Sequence, residues 1–193
     1  MEQDDKADPQ MFALARLDED RADLIEFELA MREHRYDDAL RIALEAHEEF
    51  RDDLNCFLAI GRAYYRTNQF SEALYWMCQL NHNLWDEARE TGLTQELSLL
   101  YVNSTALFIL AQYKLNQMNP EIAKMDDLAI SGPSFLGPAP NRARQLPIDA
   151  GKAHLNALAV IARQLMEADP PVPITELGLF FDACEVLGVR IVD

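Results

Sequence analysis

Apolar positions recur at three- and four-residue spacing through most of the chain, the mark of helices that each bury one face. Leu24, Phe27, Ala30 and Met31 set the first such face, on a helix that begins either before Phe12 or near Asp20. Arg35 and Tyr36 break the rhythm. Asp37 is expected to cap a second helix, with Ala39, Leu40, Ala43, Leu44 and Ala46 on its inner side and an end near Phe50. Asp52 or Asp53 caps a third, 54–67, which turns Phe57, Leu58, Gly61, Tyr64 and Tyr65 inward. Asn68 and Gln69 make a turn, Ser71 caps a fourth helix, and Leu74, Met77, Cys78 and Leu80 continue it. The helix predicted over 94–117 differs in kind. Leu97, Leu100, Tyr101, Ser104, Leu107, Phe108 and Ala111 wrap it almost continuously, so it is expected to be covered on several sides.

Punctuation changes in the last third. Residues 131–147 hold four prolines and two glycines, which exclude regular structure over most of the segment. Phe135, Leu136, Arg142 and Arg144 suit docking onto the acidic body, a plain linker or partner contact, and all three remain open. A helix follows over 148–168, with Leu155, Leu158, Ala159, Ile161, Ala162 and Leu165 apolar, and the prolines at 170, 171 and 173 stop it. Ile174 or Thr175 opens a last helix to Leu187, which Gly188 terminates. The expected organisation is a flexible acidic lead (1–10), a helical domain (11–130), the loop (131–147) and a C-terminal helical pair packed on that domain (148–193).

The chain also repeats itself. Moving residues 30–47 forward by 34 positions places Arg32 on Arg66, Tyr36 on Phe70, Ala39 on Ala73 and Leu40 on Leu74. A helix-turn-helix recurring every 34 residues is the signature of a tetratricopeptide repeat. The unit at 54–81 resembles that family. Phe57 stands where the family has Trp, Ile60 and Gly61 for its Leu-Gly, Tyr64 for its Tyr and Ala73 for its Ala, while Met77 and Leu80 replace its later Phe and Ala. Gly61 and Ala73 are the small residues that would let the two helices touch backbone to backbone. In the unit at 20–53, Asp23 and Glu26 occupy positions that should be apolar, and Phe27 replaces the small residue, as in a terminal repeat with one face in water. A third unit, 97–129, follows after 48 positions, with a 14-residue insert containing Trp85 and Gly92 before it and Pro120 in the first turn of its second helix. The resemblance implies an all-α, TPR-like helix-turn-helix solenoid of about three repeats with a C-terminal helical pair.

Charge narrows the class of partner. The formal net charge is −16, and residues 1–53 carry 18 Asp/Glu against 7 Lys/Arg. Such a surface repels phosphate backbones and anionic lipid, which argues against nucleic-acid binding, and attracts basic segments. Apolar runs are too short or too interrupted for membrane insertion. Three widely spaced cysteines, Cys56, Cys78 and Cys184, with no Cys-x-x-Cys pair, suit a reducing compartment, and the polar N-terminus lacks the core of a signal peptide; a cytoplasmic location is expected. No phosphate-binding loop, nucleophile elbow or metal-ligand spacing is present, so no catalytic residue, metal or cofactor is expected.

In tetratricopeptide folds the first helices of the units line a concave groove that receives a partner segment. The resemblance implies the same here, with Glu28, Met31 and Arg32 from the first unit and Asn55, Leu58, Arg62, Tyr65 and Arg66 from the second. Leu24, Asn103, Leu110, Tyr113 and Lys114 extend the set. Glu28 stands where carboxylate-clamp grooves need Asn, which disfavours a receptor for C-terminal acids. The expected function is a non-enzymatic adaptor or chaperone that holds a basic or amphipathic protein segment, with self-association possible. The alternative is a subunit of a larger assembly that uses helix 94–117 as a permanent interface.

Overall fold

The computed structural model describes residues 21–118 and 148–191. The acidic lead, the second helix of the third unit at Pro120 and the loop 131–147 lie outside the described residues. Among those described there are seven α-helices and no strand. They are α1 (Ala22–Arg32), α2 (Tyr36–Glu49), α3 (Leu54–Arg66), α4 (Phe70–Thr91), α5 (Gln95–Met118), α6 (Ile148–Met166) and α7 (Gly178–Leu187), the last preceded by a 3-10 turn, Ile174–Leu177. The protein is all-α.

From α1 to α5 each helix packs on the next, and α1 also meets α3 as α3 meets α5. The 34-residue period reappears in the backbone of the turns. α1 ends with His34 in the left-handed region (φ 59°) and α3 with Asn68 there (φ 61°), 34 positions apart. Around His34, the amides of Arg35 and His34 donate to the carbonyls of Ala30 (2.9 Å) and Met31 (3.2 Å). Around Asn68, those of Gln69 and Asn68 donate to Tyr64 (2.9 Å) and Tyr65 (3.2 Å). This paired closure satisfies carbonyls that a helix end leaves without partners. His and Asn are among the non-glycine residues that tolerate that conformation best.

The same turns correct two expected caps. After the left-handed residue a single linking residue, Arg35 or Gln69, leads straight into the next helix, so α2 starts at Tyr36 and α4 at Phe70. Asp37 and Ser71 are therefore second residues of their helices and cap nothing. Asp53 does cap α3, with its Oδ1 accepting from the Asn55 amide at 2.8 Å. The insert before the third unit is no loop. It lengthens α4 by three turns as far as Thr91, where Gly92 (φ 82°) ends it, so that α4 spans 22 residues beside the 24 of α5. Thr94 opens α5, its Oγ1 accepting from the Leu97 amide at 3.2 Å.

Gly61 sits at the crossing of α3 with α4, but what fills the space beside it is a side chain. A Cβ there would lie 2.3 Å from Met77 Cε and 3.5 Å from Leu107 Cδ2, and no backbone atom of a neighbouring helix comes nearer than these. The backbone contact expected from the small residue is replaced by a methionine over a glycine. In the first unit the sizes are reversed: Phe27 occupies the position of Gly61 and Ala43 that of Met77, all four being 1% exposed or less except Gly61, which is likewise buried. Asp23 and Glu26, anomalous in sequence, are accommodated at the edge. Asp23 pairs with Arg21 at 2.8 Å, and Glu26 is exposed.

The core has two parts. Leu24, Phe27, Ala30, Ala39, Ile42, Ala43, Ala59, Ile60 and Ala63 join α1, α2 and α3. The larger part runs from α3 to α7, with α5 at its centre. Every residue of α5 from 102 to 112 is buried, which fulfils the all-round cover expected of it. α6 and α7 find their main packing on α5 and on each other. α6 ends at Met166, and its Gly151 allows the close approach, since a Cβ there would lie 3.1 Å from Leu187 Cδ2 and 3.4 Å from Ile109 Cγ2. Gly188 (φ 68°) closes α7, with the Val189 amide donating to Cys184 O at 2.8 Å.

The reversed sizes give a stability test by urea denaturation. Gly61→Phe is expected to destabilise by about 2–3 kcal/mol through overpacking, and Met77→Ala by about 2–4 kcal/mol through the cavity it leaves. The double variant, which adopts the first unit's arrangement, is expected to lose at least about 1 kcal/mol less than the two singles combined.

Candidate functional site

The face expected to receive a partner runs along α1, α3 and α5. Glu28 and Arg62 hold equivalent places on α1 and α3, 34 positions apart, and the fold brings them together. The Arg62 guanidinium grips the Glu28 carboxylate with both Nη atoms, the Nη2–Oε2 contact measuring 3.1 Å, and lies 5.4 Å above the Phe27 ring centroid. Both side chains are about one-quarter exposed. This pair ties α1 to α3.

The remaining expected residues divide by role. Asn55 is half-buried and held at the start of α3, where Asp53 Oδ1 also accepts from its Nδ2 at 3.1 Å. Leu58 and Tyr113 are half-buried against the larger core, and Met31 against the smaller one. Leu24 and Leu110 are fully interior and line no groove. Arg32 and Arg66 are exposed at the last turns of α1 and α3. Tyr65 stands half-buried with its ring edge on Phe70, centroids 5.5 Å apart. Burial raises its phenol pKa above the ordinary value, against the pull of Arg66 and with a further push from Asp182 of α7. On α5, Asn103 is buried and its Nδ2 donates to the carbonyl of Glu176 at 2.7 Å.

Two clusters escaped the sequence. At the start of α1, Arg21 pairs with Asp23 and Asp53, donates to Cys56 Sγ at 3.2 Å and lies 4.5 Å above the Phe50 ring. Asp53 had announced itself as a cap, but nothing in local sequence linked Arg21 to residues 32 and 35 positions on. At the other side, His47 of α2 is set edge-on against Phe57 (4.7 Å) and Trp76 (5.2 Å), and its Nδ1 is buried with no hydrogen-bond partner. Burial, then the charge of Arg51, holds its pKa below the ordinary imidazole value, with Asp52 opposing.

The cysteines are free thiols. Burial pushes those of Cys78 and Cys184 up to about 11, so both stay protonated and poorly nucleophilic at neutral pH. Cys56 is raised as well, burial outweighing the hydrogen bond from Arg21. Among the described residues no group of three His, Cys, Asp or Glu is placed to hold a metal ion, and no helix is long and apolar enough to cross a membrane. No protein family, curated protein or solved structure matches this chain.

Two outcomes follow. A double-mutant cycle on Glu28→Ala and Arg62→Ala is expected to give a coupling energy of about 0.5–1 kcal/mol, the range for a bidentate pair partly open to solvent. His47 binds its proton less readily in the folded chain than in the unfolded one. Its contribution to stability is therefore complete above pH 6.5 and is lost as pH falls below 6.5 towards the folded value. His47→Phe should abolish that part of the pH dependence in denaturation midpoints taken between pH 7.5 and 5.

Proposed function

We propose that this protein is a non-enzymatic adaptor or chaperone built on TPR-like units, which holds an amphipathic segment of a partner protein along the α1, α3 and α5 face. The observation that carries this reading is the 34-residue recurrence at the turns, where His34 and Asn68 close successive helices with the same pair of hydrogen bonds. The second helices also restart in register, at Tyr36 and Phe70. A recurrence in backbone geometry supports stacked equivalent hairpins more strongly than a match of residue types does. The face offers an exposed guanidinium group at Arg66 next to the half-buried Tyr65, a combination common in binding hot spots. The acidic body around them steers basic residues flanking the held segment. The setting is a reducing, cytoplasmic one, which suits three free, buried or half-buried thiols.

The assembly-subunit alternative draws less support. It needs the length of α5 as a permanent interface, whereas the chain's own helices bury residues 102–112 of it; the adaptor reading draws on α1, α3 and, from α5, the half-buried Tyr113.

Crosslinking mass spectrometry in the native host identifies the partner. Arg66 is exposed at the end of α3, so Arg66→Glu is expected to leave the helical circular dichroism and midpoint unchanged and to weaken partner affinity at least tenfold, read by calorimetry. Unchanged affinity removes Arg66 from the site, and a chain that crosslinks to no cellular protein overturns the adaptor reading.

A further inference from the structure

α7 carries Leu177, Phe180, Cys184 and Leu187 at relative positions i, i+3, i+7 and i+10, counting the residue just before it, and none is more than 6% exposed. That spacing is how an amphipathic helix anchors in a groove. Its seat takes in one residue of the expected partner face. Asn103, which stands 48 positions after Asn55 on the corresponding helix, bonds the main-chain carbonyl at 176. A side chain that grips a main-chain carbonyl recognises helix geometry and is indifferent to the residue presented. At ten residues, α7 is shorter than the roughly 12–15 that a helix needs to persist unaided, so the surface beneath it supplies its order. The match is incomplete as well: Asn103 Oδ1 is buried with no hydrogen-bond partner among the described residues.

We propose that α7 is a ligand in cis. Its seat on α5 is a helix-docking surface, and a partner helix with the same apolar spacing displaces α7 to bind there. This rests on the adaptor reading and adds its regulation: the site is closed until a better helix arrives. The favoured partner helix carries large apolar residues at i, i+3, i+7 and i+10. Near its first turn it carries a side-chain donor, such as Asn, Gln or Lys, that reaches Asn103 Oδ1.

The native cysteines report on this directly. Cys184 lies on α7 and Cys56 on α3, at 3% and 0% exposure. The full chain is alkylated with N-ethylmaleimide under native conditions, and each site is followed by peptide mass spectrometry. Cys184 is expected to react at least tenfold faster than Cys56. A synthetic peptide of residues 172–191 carrying Cys184→Ala is expected to accelerate Cys184 further, dose by dose, and to leave Cys56 unchanged. A full-length Phe180→Ala variant is expected to bind that peptide at least tenfold more tightly than the wild-type chain does. Global unfolding of the variant would show as Cys56 and Cys184 reacting together, and the peptide competition on the wild-type chain then decides the matter alone. Equal labelling rates in the wild type, or no peptide effect on Cys184, overturns the proposal. If the peptide displaces α7 but a cellular partner binds without accelerating Cys184, the partner sits elsewhere; displacement by that partner is overturned and the adaptor reading stands. If the peptide displaces α7 and no cellular partner exists, the docking surface stands and the adaptor reading falls.

Discussion

Three full turns of α5 are surrounded by protein, and the helix is not uniformly apolar, so most polar groups it takes inside find a bond there, Asn103 Oδ1 and Thr105 Oγ1 excepted among the described residues. Ser98 turns back to the carbonyl of Thr94 at 2.7 Å, Ser104 donates to Asn81 of α4 at 2.7 Å, Gln112 donates to Asn116 at 3.1 Å, and Asn103 reaches the turn before α7. An apolar helix can slide against its neighbours at modest cost. One that carries buried amides and hydroxyls cannot, because each step leaves donors and acceptors desolvated without partners. α4 and the C-terminal elements are thus held in register against α5 through the adjacent residues Ser104 and Asn103. The paired lengths of α4 and α5 follow from this need for cover.

Helix existence and most inner faces could be read from periodicity, because each of these helices buries one stripe against one or two neighbours. The repeat was visible at 34 residues for a related reason: two hairpins in equivalent settings place like residues at Ala39 and Ala73, or at Tyr36 and Phe70. Capping was less readable. Asp37 and Ser71 have the right chemistry two positions too late, since the left-handed residue before them already sets the chain's re-entry into helix. The long α4 was hidden because the comparison treats extra length as an insertion, and an insertion has no secondary structure until something packs on it.

On the candidate face, sequence position and structural role separate. Glu28 and Arg62 were expected side by side on the face but not as partners of each other, because no local pattern reveals an ion pair between helices 34 residues apart. Leu24 and Leu110 share the register of that face yet lie inside, which a projection of helical positions cannot distinguish from half-burial. Arg21 and His47 carry the least local signal. The bonds of Arg21 and the ring contacts of His47 reach across consecutive units, so they become apparent only once the stacking angle is known.

The opposed sizes at Phe27 with Ala43 and at Gly61 with Met77 bear on how two similar hairpins each keep their own helices together. Near-identical modules can stack out of sequence or exchange between chains, and a uniform interface would permit it. Here each hairpin has its own steric polarity, bulky on the first helix in one and on the second helix in the next. A first helix paired with the other hairpin's second helix would set two bulky residues, or two small ones, against each other. The shape difference thus matches each first helix to its own second helix in these two hairpins.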